Sequence, residues 1–75
     1  MDVVVETEIR SAFNGWKQGN VFALSQGYHK KWKQVEDRYR FRYAYRPKAK
    51  LIRDGSTHYL EVEGMDDMVE VEQER

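Results

Sequence analysis

The sequence predicts one small, mostly-β domain: a twisted antiparallel sheet, or a partly closed barrel or roll, of about five strands. Residues 38–46 alternate between two kinds of side chain over nine positions, as a strand with two different faces does. Asp54-Gly55 lies between two apolar runs and is a strong hairpin signal. The 75 residues allow at most one domain.

The second half reads as a strand followed by an antiparallel meander. Tyr and Phe, which favour strands, fill alternate positions of the first strand, and Pro47 marks its end. A turn at Asp54-Gly55 and a second turn over residues 64–67 separate the later strands. The four predicted strands cover residues 38–46, 48–52, 58–63 and 68–73.

The first half supports two interpretations. Gly15, Gly19 and Gly27 favour short strands over residues 8–13 and 20–24. Residues 20–36 also show helical spacing, because apolar side chains recur at three- and four-residue steps. A glycine inside that helix would cost about 1 kcal/mol, and periodicity alone leaves both interpretations open. It also leaves open whether residues 1–8 form a strand or a loose end.

Charge is segregated along the chain although its net value is zero. Residues 28–53 carry a balance of +8 and residues 54–75 a balance of −7. Since these charges occupy alternate positions, we expect neighbouring strands to neutralise one another on a solvated face, with a free basic patch as the alternative. The chain has no cysteine, no apolar run of membrane-spanning length and no secretion-signal pattern at its start, so we expect a cytoplasmic protein that is not in a membrane.

No catalytic, metal or cofactor site is predicted. His29 and His58 lack the ligand spacing of a metal site. The serines lie in no nucleophile motif, and the glycines form no phosphate-binding loop. We therefore expect a protein that is not an enzyme and has no cofactor.

The segment "DRYRFRYAYRP", residues 37–47, has two interpretations. Its rings and its arginines fall on opposite faces of one strand. The rings could stack on nucleic-acid bases, or they could form a wall of the core. We predict that the rings lie in the core and that Arg40 and Arg42 lie on the outer face. The expected core set is Trp32, Tyr43, Leu60 and Val71, whereas Trp16 could be a core residue or an exposed binding residue.

Four stretches in order resemble a family of small uncharacterised bacterial proteins. They are "IRSAFNGWKQGNVFALSQG", the triplet Trp32-Lys33-Gln34, "YRFRYAYRPKAKLI" and "YLEVEGMDDMVEV", and together they cover about residues 9–71. The resemblance implies a compact mostly-β fold with strand–turn–strand over residues 20–36, and no activity. One departure is the four residues "YHKK" between Gly27 and Trp32, where the family pattern has two, so no role carries over to Tyr28 or His29.

These observations predict a Src-homology-3-like or OB-like β domain, with an α+β domain containing a helix near residues 20–36 as the alternative. The predicted function is a non-catalytic interaction module for a protein partner. Binding of single-stranded nucleic acid through residues 38–46 is the alternative. The oligomeric state is left open. The candidate partner-binding surface is Trp16, Arg38, Arg40, Arg42, Tyr45 and Arg46.

Overall fold

The computed structural model describes residues 1–26 and 31–74, which form an all-β domain without a helix. Eight strands lie within these residues. They are β1 (Asp2–Glu8), β2 (Ala12–Trp16), β3 (Val21–Ala23), β4 (Lys31–Gln34), β5 (Arg40–Tyr45), β6 (Lys48–Asp54), β7 (Thr57–Val62) and β8 (Met68–Gln73).

The strands form two antiparallel sheets. The larger sheet has the order β1-β6-β7-β8-β4-β3, and the smaller one pairs β2 with β5. The large sheet curls until its two outer strands meet at one point, a bridge between Ile9 and Leu24. Two backbone hydrogen bonds flank this bridge, from Arg10 N to Ala23 O at 2.8 Å and from Ser25 N to Glu8 O at 3.0 Å. The prediction of a mostly-β twisted sheet or roll is confirmed.

The two sheets are joined by one bent ribbon. β1 pairs with β6 and β2 pairs with β5, so the two long segments run side by side and fold over together at Ile9–Ser11 and Arg46-Pro47. Ile9 N donates to Pro47 O at 2.9 Å, and Arg46 N donates to Ser11 O at 3.1 Å. Each segment therefore contributes two strands. The division at Pro47 was predicted, but the predicted strand over residues 8–13 is wrong, because the bend at Ile9–Ser11 interrupts it.

The core lies between the curled sheet and the folded-over end of the ribbon. Phe13, Trp16 and Phe22 form an aromatic triangle with ring centroids 5.3 to 6.0 Å apart. Trp32, Leu60 and Val71 are buried, as predicted, but Tyr43 is 60 % exposed, so the prediction for Tyr43 is wrong. The buried apolar cluster is Ile9, Phe13, Trp16, Phe22, Leu24, Trp32, Ala49, Leu51, Leu60, Val62, Val69 and Val71.

The remaining strand predictions are largely confirmed. β6, β7 and β8 are sequential neighbours in the sheet, as the meander requires, and Gly55 turns between the first two with a φ of 65°. Residues 1–8 belong to a strand for almost their whole length. The alternative helix over residues 20–36 is wrong, because the described residues of that range include strands β3 and β4 and no helix. The "YHKK" departure is residues 28–31, of which residues 28–30 lie outside the described residues.

Within the described part of the chain, no helix is long and apolar enough to cross a membrane.

Candidate binding surface

Four aromatic rings are exposed to solvent, one just before β5 and three within it. We call these four rings the aromatic row. Tyr39 is 72 % exposed, Phe41 68 %, Tyr43 60 % and Tyr45 71 %. The rings occupy every second position, so they share one face of an extended segment. The prediction that they form a wall of the core is wrong.

The arginine side of β5 faces the core instead. Residues opposite one another in an antiparallel pair share a face, and Phe13 pairs with Ala44 while Trp16 pairs with Arg40. Phe13 and Trp16 are buried, and Ala44 packs against the core. Arg40 and Arg42 therefore lie on the core-facing side, although both side chains reach solvent, and their predicted placement on the outer face is wrong.

The strict alternation could not reveal this orientation. A period of two defines two faces but does not say which is buried, and a shift of one residue exchanges them. Ala44 is the residue that could have indicated which face of β5 is buried, because it is the one small side chain among the arginines. A position that packs on a filled core needs such a residue, and the aromatic triangle already fills that region.

β2 leaves the aromatic row uncovered. The residues opposite Tyr45 and Phe41 are Ala12 and Gly15, which have little or no side chain to lay over a ring. Gly15 has a φ of 100°, and a Cβ built there would collide with the Arg40 carbonyl. The Asn14-Gly15 pair is therefore an irregularity inside β2, where the register shifts, and β2 continues through it to Trp16.

Acidic side chains neutralise most of the arginines. Arg38 contacts Glu36 at 2.9 Å and Asp67 at 2.7 Å, and Arg40 contacts Asp66 at 3.4 Å. Two of these carboxylates belong to the turn between β7 and β8, which lies under the start of β5. These pairs are partly exposed, so each contributes only about 0–1 kcal/mol, but together they cancel local positive charge.

The other two arginines differ from each other. Arg46 contacts Glu8 at 2.8 Å at the bend of the ribbon, where its own φ is 49°. Arg42 makes no ion pair among the described residues. Its guanidinium lies over Gly64, where a Cβ would come within 2.9 Å of the Arg42 Nε.

The glutamates of the large sheet face lysines. Lys50 lies between Glu6 and Glu61 across three strands, and Lys33 lies opposite Glu72. Neutralisation between neighbouring strands was expected, and this register places opposite charges side by side, with Lys50 Nζ 3.9 Å from Glu6 Oε1. The partners of the arginines, however, come from the β7–β8 turn, the segment before β5 and the end of β1.

A buried glutamine holds the start of the aromatic row. Gln34 is fully buried, and its Nε2 donates to Glu36 O and to Arg38 O, both at 2.9 Å. Its Oε1 accepts from Lys17 N at 2.9 Å. This side chain therefore ties the end of β2 to the segment that leads into β5. Sequence reasoning singled out the Trp32-Lys33-Gln34 triplet but missed this role.

The segment before β5 is fixed to β8 as well. Glu70 N donates to Glu36 Oε1 at 3.0 Å, and Val35 N donates to Glu70 O at 3.1 Å. Hydrogen bonds therefore hold residues 34–38 to the end of β2 and to β8. These bonds fix the position of the backbone that leads into the aromatic row.

Both tryptophans are core residues, Trp16 where the sequence left two interpretations open and Trp32 as predicted. Trp16 is 1 % exposed, so it leaves the candidate surface. Trp32 packs on the His58 ring with centroids 4.8 Å apart. Burial lowers the pKa of His58 below 6.5, and the neighbouring charge of Arg53 lowers this pKa further.

An open cleft of about 710 Å³ lies on the outside of β1, β6 and β7. Its charged lining alternates in sign, because lysines of β6 lie between glutamates of β1 and β7. Among residues 1–26 and 31–74 no group of three or more His, Asp or Glu could hold a metal ion.

No family model, curated protein or solved structure matches this chain. The resemblance to small bacterial β proteins stays an expectation, and the surface is interpreted from its own chemistry.

Proposed function

We propose that this chain is a non-catalytic protein-binding module whose binding surface is the aromatic row. The carrying observation is the 60–72 % exposure of all four rings. Since each ring can bury ~150–250 Å², the row offers roughly 400–700 Å². The largest apolar patch on a typical monomer is about 300–600 Å² and often functional.

The chemistry of this face suits a protein partner. The cores of protein interfaces are enriched in Tyr, Phe and Arg and depleted of other charged residues. The outer face of β2 and β5 presents rings beside Ala12 and Gly15, with the arginines on the opposite side of the strand. Each tyrosine also offers a hydroxyl for a hydrogen bond at low cost in conformational entropy.

One observation favours single-stranded nucleic acid as a second candidate. Rings on alternate residues of a strand lie about 6.7 Å apart, and bases can stack on exposed aromatic rings. Nucleic-acid affinity also needs cations that release counterions from phosphates. Here the net charge is zero, and Arg38, Arg40 and Arg46 have carboxylate partners. A protein partner is therefore better supported.

Selection from a library of random displayed peptides tests the proposal. Peptides selected on the wild-type domain should lose at least tenfold in affinity for a Phe41→Thr/Tyr43→Thr variant. An Arg40→Gln/Arg42→Gln variant should lose less than threefold, because those side chains lie on the other side of the strand. If no selected peptide depends on the rings, the proposal is wrong.

A titration with labelled oligonucleotides at several salt concentrations separates the two candidates. The protein-binding proposal expects weak binding or none at physiological salt. Sub-micromolar binding with a steep salt dependence, lost in an Arg38/Arg40/Arg42→Ala variant that still folds, would instead establish the nucleic-acid function.

A further inference from the structure

β5 has an open edge on the side away from β2. In the described part of the chain it pairs only with β2. Arg46 N donates to the O atom of Ser11, just before β2, and Arg40 O and Arg42 N lie against Gly15 of β2.

The register shift between β2 and β5 leaves Arg42 and Tyr43 opposite Asn14 alone, but backbone atoms of the even-numbered residues face β2 on both sides of this shift. Because backbone groups alternate in direction along a strand, the N–H and C=O groups of Phe41, Tyr43 and Tyr45 point to the open edge. None of these groups makes a backbone bond to a turn or loop within residues 1–26 and 31–74.

We propose that this edge pairs with the same edge of a second copy of the chain, antiparallel and centred on Tyr43. The hydrogen-bonded pairs across the new edge must join residues whose backbone groups point outward. With Tyr43 opposite Tyr43 of the second copy, Phe41 lies opposite Tyr45, and all three outward-facing residues are paired. Arg42 then lies opposite Ala44. Three pairs that each exchange two hydrogen bonds give six backbone bonds.

The charges select this register. Moving the centre by one residue towards Arg42 places Arg42 directly opposite Arg42 of the second copy. Moving it by one residue towards Ala44 places Arg42 opposite Arg46 of the second copy and Phe41 opposite its Pro47, which has no N–H to donate. Like charges at opposed positions destabilise a strand pair.

Among the described residues Arg42 is the arginine of this strand without a carboxylate partner. No neighbouring negative charge would therefore weaken its repulsion from an arginine of the second copy. Ala44, the gap in the arginine pattern, removes the clash in the centred register. Arg40 and Arg46 meet at the two ends, and each already has a carboxylate partner.

A second copy suits this edge better than a free peptide. A two-fold pairing is closed and satisfies both edges at once, which removes the exposed edge that natural sheets avoid. The product is a continuous four-stranded sheet, β2-β5 of one copy beside β5-β2 of the other. All eight rings of the two aromatic rows then lie on one face. This pairing uses the edge of β5, so it does not rest on the proposed partner binding at the ring face.

Single cysteines test the register. The chain has no cysteine of its own, so a Tyr43→Cys variant can cross-link only to its counterpart. A hydrogen-bonded antiparallel pair has Cα atoms about 5.5 Å apart, within the ~4.4–6.8 Å range of a disulfide. Tyr45→Cys and Tyr39→Cys are matched controls on the same face, whose counterparts would be about 14 Å and 27 Å apart.

In a glutathione redox buffer Tyr43→Cys should form at least ten times more disulfide-linked dimer than either control. Equal cross-linking of all three variants would show random collision and overturn the proposal. Stronger cross-linking by an Arg42→Cys variant would overturn the register.

A proline variant tests the pairing without a cross-link. The Tyr43 N–H points away from β2, so Tyr43→Pro removes an edge donor and leaves the β2 ladder intact. In sedimentation experiments the wild-type mass should rise from 9.0 kDa towards twice that value with concentration, and Tyr43→Pro should stay monomeric. A wild-type chain that remains a monomer at millimolar concentration overturns the proposal, as does a folded Tyr43→Pro variant that dimerises equally well.

Discussion

Replacing Gln34 by Leu should destabilise the domain strongly, although the two side chains are similar in size. Gln34 is fully buried, and its amide bonds Lys17 N, Glu36 O and Arg38 O. Leucine would remove the side-chain partner of Lys17 N and of Arg38 O, whereas Glu36 O would keep its bond from Arg38 N at 3.0 Å. Each unsatisfied group costs about 1–3 kcal/mol at full burial. Because water can reach some of them, we expect a total loss of about 2–4 kcal/mol.

Such a loss is a large share of the stability of a small domain, which is typically about 5 kcal/mol or a little more. It should lower the melting temperature by about 10–25 °C, since 1 kcal/mol shifts a domain of this size by about 4–8 °C. Urea and thermal unfolding followed by tryptophan fluorescence measure both quantities. Gln18→Leu is the matched control, because the Gln18 side chain makes one exposed hydrogen bond, to Val35 O, and its loss should cost less than ~1 kcal/mol. If Gln34→Leu is as stable as this control, the role assigned to the buried amide is wrong.

Three further changes test the core, a glycine and a histidine. Leu60→Ala, at a fully buried position, should cost about 2–5 kcal/mol in urea unfolding, and an unchanged midpoint would contradict its placement. Gly15→Ala should cost more than ~1 kcal/mol, because it combines a positive φ with a backbone collision; Gly55→Ala, which has open space around it, should cost less. The folded-state pKa of His58 is below 6.5, so its contribution to stability is complete above pH 6.5 and is lost as the pH falls through the lower folded value. His58→Gln should flatten that part of the stability–pH curve, and an identical curve for both proteins would show that another group titrates.

The strands of the second half could be predicted because several signals agree there. Charged residues alternate there with the apolar residues Leu60, Val62, Val69 and Val71. Asp54-Gly55 is a strong hairpin signal, so the local pattern and the turn residues indicate the same fold. The break at Pro47 was predicted, but the bend at Ile9–Ser11 and the joint folding of the two segments were not. At Ile9–Ser11 and at Arg46-Pro47 the two partners bend together, and each partner lies far from the other in sequence.

The binding surface was harder to predict than the fold. Rings are the largest apolar groups, so a rule that places them inside is correct for Trp16, Trp32 and Phe22. It fails for β5 because those other aromatic residues already fill the space beneath. The partners of the arginines depend on the position of the β7–β8 turn, which alternation along a single strand does not encode.

The central claim is that the aromatic row is a binding surface and contributes little to the free energy of unfolding. The most direct measurement is the free energy of unfolding of a Phe41→Thr/Tyr43→Thr variant, in which threonine keeps a good strand former at both positions. We predict a change of less than about 1 kcal/mol, the span of strand preference at exposed sites. A loss above about 3 kcal/mol, the cost of truncating a buried aromatic side chain, would contradict this account and return the rings to the core.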